Sequence, residues 1–129
     1  MKQKIEHVLY SIEALGGLMV YDISARLGFR QTHTLVSKCP VLKRRHSEDS
    51  TSRICAAVAE GAAWYVKRVQ CLQRSAVATW LLRLHGIPAE LVIGCRPVPV
   101  QSHAWVEVNG QVVNDRPQYQ KFFRVLERF

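Results

Sequence analysis

Three side chains that could divide the work of a cysteine hydrolase occur in one order along this 129-residue chain. Cys71 opens Cys71-Leu72-Gln73-Arg74-Ser75, His103 lies in Ser102-His103-Ala104-Trp105, and Asn114-Asp115 follows the pair Asn109-Gly110. A thiolate can attack an acyl carbon, an imidazole can move the protons, and a carboxylate can fix the tautomer and orientation of that imidazole. Order and residue type make this a candidate set only, because a cysteine at a helix start is more often structural than catalytic.

The remaining titratable residues narrow the field. Cys39, Cys55 and Cys95 stand too far from Cys71 and from one another to form a C-x-x-C pair and have no matching histidine cluster, so neither a metal nor any other cofactor is expected. His7, His33, His46 and His85 have no acid at a telling spacing and are read as structural. Glu6, Glu13 and Asp22 interrupt the N-terminal apolar pattern, so the reading is of no signal peptide and no membrane span. A reducing cytoplasm with free thiols follows, the other three cysteines serving as small hydrophobes.

Lys and Arg exceed Asp and Glu by eight, and the excess is spread along the chain. Such a charge attracts anionic partners without choosing among them. Lys43-Arg44-Arg45 is the only basic run and RNA-binding aromatic signatures are absent, so no nucleic acid is expected. At this length and with 48% hydrophobic residues the chain reads as one domain, 1–129, with a helical part at 1–68 and a helix plus antiparallel strands at 69–129.

Ile5, Val8, Leu9, Ile12 and Leu15 recur at helical spacing, and the pattern resumes after Gly16-Gly17 with Leu18, Tyr21 and Leu27 before a stop at Gly28. This predicts a helical N-terminal third with a kink at the glycines. The polar, basic stretch 39–51 reads as a loop, with Ser50 or Thr51 capping a helix to about Arg68. A further helix runs from Cys71 to His85, stopped by Gly86 and Pro88. Strands follow at 90–95, 101–108 and 111–114, giving an α+β order.

A cysteine in the first turn of a helix meets backbone N–H groups and the positive dipole end, which stabilise a thiolate. The N–H groups of Cys71 and Leu72 could also hold an oxyanion. Arg74 lies one turn on, as a substrate contact or merely a surface charge, and a small Ser75 leaves room for substrate or a facing strand. Alternation along 101–109 puts His103 on one face with Trp105, a second candidate substrate contact, away from Ala104, Val106 and Val108. The turn at Asn109-Gly110 then decides where Asp115 goes. A two-residue hairpin pairs Val108 with Gln111 and points Asp115 away from His103; a three-residue loop with a bulge at Gly110 pairs His103 with Asp115. The bulged turn is predicted. The competing assignment leaves Asp115 to organise the turn into Arg116-Pro117 and makes Asn114 the orienting group.

Cys71-Leu72-Gln73-Arg74-Ser75, Gly86-Ile87-Pro88-Ala89, Leu91-Val92-Ile93-Gly94, His103-Ala104-Trp105-Val106-Glu107 and Gly110-Gln111-Val112-Val113-Asn114-Asp115 together resemble the stand-alone, B-type leader peptidase of lasso peptide biosynthesis. The resemblance implies a papain- or transglutaminase-like fold and a bacterial cysteine protease that removes the leader from a ribosomally made precursor. By the same resemblance Cys71 is the nucleophile, His103 the base and Asp115 the orienting acid. The implied partners are the precursor, a separate leader-recognition protein, expected because the chain starts directly with the peptidase region, and an ATP-dependent macrolactam synthetase. A Thr near the end of the leader is the implied substrate feature. Gln70 departs from the papain pattern, whose oxyanion glutamine lies further upstream, so no side-chain oxyanion donor is assigned. Two other readings stay open: an acyltransferase that resolves the same thioester with an amine, and a non-catalytic basic module that binds or scaffolds.

Overall fold

The computed structural model describes the backbone of all 129 residues and every side chain except those of Phe29 and Tyr119. Helices α1 (Lys2–Ala25), α2 (Phe29–Lys38), α3 (Ser50–Trp64) and α4 (Cys71–Leu84) come first. Strands β1 (Ala89–Pro97), β2 (Val100–Val108) and β3 (Gln111–Val112), a short α5 (Tyr119–Phe122) and β4 (Arg124–Arg128) follow. The strands form one antiparallel sheet in the order β3-β2-β1-β4, so the architecture is the expected α+β.

At the centre lies α4, with α1 and α3 on one side and β1 and β2 on the other. From Ser75 to Arg83 every residue is buried, so this helix carries no amphipathic stripe. Its polar groups are satisfied locally: Thr79 donates to the Ser75 carbonyl (2.9 Å), and Ser75 Oγ donates to the Ala104 carbonyl on β2 (3.1 Å). The sheet contributes Ala89, Leu91, Ala104 and Val106 to the same core.

A kink was expected at Gly16-Gly17, and α1 runs through both glycines without a break. Packing is the reason. A Cβ on Gly17 would come within 2.7 Å of Val77 Cγ1, so the glycine lets α1 close on α4. The three acids of α1 all turn toward the fold: Glu6 pairs with Arg53, Glu13 with His85 (2.7 Å) and Asp22 with Lys67 (2.6 Å). Their inward placement leaves Ile5, Val8, Ile12, Met19 and Ile23 more than half exposed on the outer side. By length and composition alone α1 is apolar enough to cross a membrane, and 17% of that stretch is buried in the fold.

Arg83 ties the last turn of α4 to three other parts of the chain. Its guanidinium donates to the carbonyls of Val36, Cys39 (3.4 Å), Ala89 (2.9 Å) and Phe129 (2.8 Å), while burial lowers its affinity for the proton. Arg83→Ala would leave these carbonyls unpaired around a cavity. It should destabilise the chain by about 3 kcal/mol or more, read as the shift in urea midpoint at unchanged slope. Arg83→Lys, a point donor in place of a fork, should recover only part of the loss.

Candidate active site

Cys71 is the first residue of α4 and is partly buried against the core. Gln70 caps the helix in extended geometry (φ −85°, ψ 167°) and gives no side-chain hydrogen bond, so no cap side chain covers the first-turn N–H groups. Tyr21 stands near enough that a Cys71 thiolate, after burial and Asp22, helps to push the phenol pKa up. Ser75, which holds the Ala104 carbonyl, sits four residues on from Cys71 on the same helix face. The Cα of Cys71 thus lies about 6 Å along the helix axis from that of Ser75, which contacts the residue next to His103.

His103 Nε2 and Asp115 Oδ2 are 2.8 Å apart, both side chains about 15% exposed. The turn nevertheless differs from the predicted one. Val108 pairs with Gln111 and Glu107 with Val112, and Asn109 and Gly110 both take positive φ (52° and 79°), which is the two-residue hairpin. Continued in that register, Asp115 would have pointed away from His103. Regular pairing ends at Val112, and Asn114 is the cause. Val113 N–H still donates to the Val106 carbonyl (3.0 Å), but Val106 N–H is taken by Asn114 Oδ1 (2.8 Å) in place of a backbone carbonyl. Asn114 Nδ2 donates to Ser75 Oγ (3.0 Å) on α4. The strand bends there, and Asp115 is delivered to the histidine. Asp115 Oδ1 also accepts the Arg116 N–H (2.9 Å), and Arg74 Nη2 lies 3.5 Å from Oδ2.

Behind His103 is a second, small core on the other face of the sheet, formed by Val92, Trp105 and Phe123. Trp105 stacks on the His103 ring at 6.2 Å and 25°, and Phe123 lies 5.7 Å away. Trp105, expected as a substrate contact, is 0% exposed and packs inside this small core. Its indole N–H donates to Glu107 (2.8 Å), so the ring is a fixed platform. Desolvation works against the Glu107 charge, but hydrogen bonds from Trp105 and Arg128 prevail and hold that carboxyl below its ordinary pKa. Gly94 pairs with His103 across the ladder, and a Cβ there would meet the Trp105 ring at 2.6 Å and Phe123 Cβ at 2.9 Å. Phe123 carried no sequence signal of its own, because the fold of the 113–123 segment brings it there; Gly94 entered only within a resembling motif, and Asn114 only as an alternative orienting group, not as a partner in the ladder.

On the opposite side of Cys71, the 65–70 segment is pinned to α1 by one carboxylate. Asp22 accepts from the Tyr65 hydroxyl (2.6 Å), Lys67 Nζ (2.6 Å) and Gln73 Nε2 (3.2 Å), and Gln73 also donates to the Leu18 carbonyl (3.1 Å). Burial opposes the Asp22 charge, yet hydrogen bonds from Lys67 and Tyr65 outweigh it and hold the pKa below the ordinary value. With a folded value below the unfolded one, this contribution to stability is present above the unfolded carboxylate pKa and lost as pH falls through the lowered one. The same bond pushes the Tyr65 hydroxyl up to about 12. Among the described residues no group of His, Cys, Asp and Glu could hold a metal ion.

A transglutaminase-like superfamily model matches residues 17–128. Over 47 residues the chain is 51% identical to the microcin J25-processing protein McjB of Escherichia coli, a match that covers 36% of this chain and 23% of that relative. No solved structure gives a significant match. The family match takes in α4 with its leading cysteine, the β1–β2 ladder and the segment that delivers Asp115 to His103, and the chain belongs to the transglutaminase-like superfamily.

Proposed function

We propose that this protein is a cysteine peptidase that removes the leader from a lasso peptide precursor. The observation that carries the reading is the His103–Asp115 pair at 2.8 Å, bound through Asn114 and Ser75 to the helix that begins with Cys71. Similarity to a protein that processes microcin J25 supports the substrate class.

In the proposed reaction the Cys71 thiol gives its proton to His103, and the thiolate attacks the scissile carbonyl carbon. With Nε2 bonded to Asp115, Nδ1 is the ring nitrogen that serves the thiol, a tautomer assigned from the bonding pattern. The oxyanion is held by the first-turn N–H groups of α4 at Cys71 and Leu72. Collapse of the tetrahedral intermediate breaks the C–N bond as His103 protonates the leaving amine. Water, deprotonated by His103, then cleaves the thioester and restores the thiol. Asp115 keeps the imidazole aligned and stabilises its cationic form throughout. The proposed compartment is the cytoplasm. A leader-recognition protein and an ATP-dependent macrolactam synthetase are the proposed partners.

The mass of the products tests this reading. Incubation with precursor and recognition protein should release a leader with a free C-terminal carboxylate, the leader and core masses together exceeding that of the precursor by one water. A new amide on that carboxylate would establish acyl transfer to an amine instead, and an unchanged precursor in the presence of all partners would contradict peptidase activity.

A further inference from the structure

A cleft of about 510 Å³ lies between the C-terminal half of α3, the 65–69 segment and the first turns of α4. Ala59, Ala62 and Ala63 line it with methyl groups, and Lys67, Arg68 and Arg74 supply its charges; no carboxylate is among its lining residues. Lys67 is already matched by Asp22 at 2.6 Å. Arg68 is exposed, with no acid against it among the described residues. Arg74 is two-thirds buried and offers its Nη2 to Asp115 only at 3.5 Å, while its Nε is buried and has no acceptor. A buried guanidinium N–H without an acceptor is costly, and a shift of the Arg74 side chain toward a carboxylate in the cleft would relieve it. Val69 and Arg74, two residues before and three after Cys71 in the chain, both line the cleft.

Resting on the peptidase reading above, we propose that this cleft is a substrate subsite for a carboxylate side chain, an Asp or Glu on the acyl side of the scissile bond, held by Arg68 and Arg74. The side follows from the chemistry. The leaving amine takes its proton from His103 on β2, so the amine half of the substrate lies toward the sheet and the acyl half toward α3. Arg74 joins the two regions, because the guanidinium that receives the carboxylate is also the one beside Asp115.

The test uses the full chain and acetyl-tetrapeptide chloromethyl ketones on a Gly-Ser background, with Glu or its isosteric Gln at each of the four positions in turn. The rate of Cys71 modification is read by intact mass. At one register the Glu reagent should react about tenfold faster than the Gln reagent, as one charge-assisted hydrogen bond provides. That ratio should fall to about one in Arg68→Glu and persist in Arg45→Glu, which makes the same charge change in the loop at the far end of α4. A wild-type ratio near one at every register, or an equal loss in Arg45→Glu, overturns the subsite while rapid modification by chloroacetamide still upholds the nucleophile. Failure of chloroacetamide to modify Cys71 overturns both.

Discussion

Cys71→Ala should abolish leader removal, by a factor of about 10⁴ or more, and leave folding intact. The two expectations come from different parts of the structure. The thiol supplies the electron pair that forms the acyl-enzyme, and no other nucleophile stands in the first turn of α4. The cost in stability is small because Cys71 is only partly buried and its side chain makes none of the hydrogen bonds that lock α4 in place. Thermal melts of the variant should agree with wild type within about 1 kcal/mol, while precursor cleavage followed by mass spectrometry falls to background. Wild-type cleavage by the variant would exclude Cys71 as the nucleophile.

Asp115→Asn and Asn114→Ala should fail for different reasons. Asp115→Asn keeps the volume and an acceptor for the Arg116 N–H, but its neutral amide no longer stabilises a cationic His103 and can bind the wrong tautomer. Cleavage should fall by about 10²- to 10⁴-fold with little change in melting. Asn114→Ala removes the acceptor of the Val106 N–H and the donor to Ser75, so a buried strand N–H loses its partner and the chain no longer has to bend. It should cost about 1–3 kcal/mol of stability as well as activity. Comparing the melts of the two variants separates the charge on the histidine from the placement of that charge. A full-rate Asp115→Asn enzyme would remove the aspartate from the mechanism.

Asn114 also marks how far the sequence could be read. The bulged hairpin follows from the sequence only if pairing continues in register to Asp115, in which case the two-residue turn breaks the His–Asp contact. The chain adopts that turn and still makes the contact, because the Asn114 side chain replaces one backbone carbonyl in the ladder. Asn-Gly signalled the turn through its tolerance of positive φ; a side chain standing in for a ladder bond leaves no periodic trace. The positions of α4, β1 and β2 were legible because glycine and proline punctuate them and because β2 alternates. That alternation correctly set His103 beside Trp105, but it could not show that α5 and β4 fold back to cover the same face with Phe123 and so bury the tryptophan. The outer strand β4 escaped notice because the sheet lends its pairing to residues without an alternating pattern of their own. On α1 the glycines looked like a break because helix propensity was visible and the facing Val77 was not.

The central claim, a Cys71 thiol activated by His103, is tested most directly by the rate at which each cysteine reacts with a small electrophile between pH 5 and 9, in wild type and in His103→Ala. Burial pushes the Cys55 thiol up to about 12 and raises that of Cys39, so neither should compete near neutral pH. The account predicts rapid and selective modification of Cys71 at neutral pH, slowed at least tenfold in His103→Ala. Equal reaction of Cys71 with the other cysteines, or a Cys71 rate indifferent to His103, would contradict it.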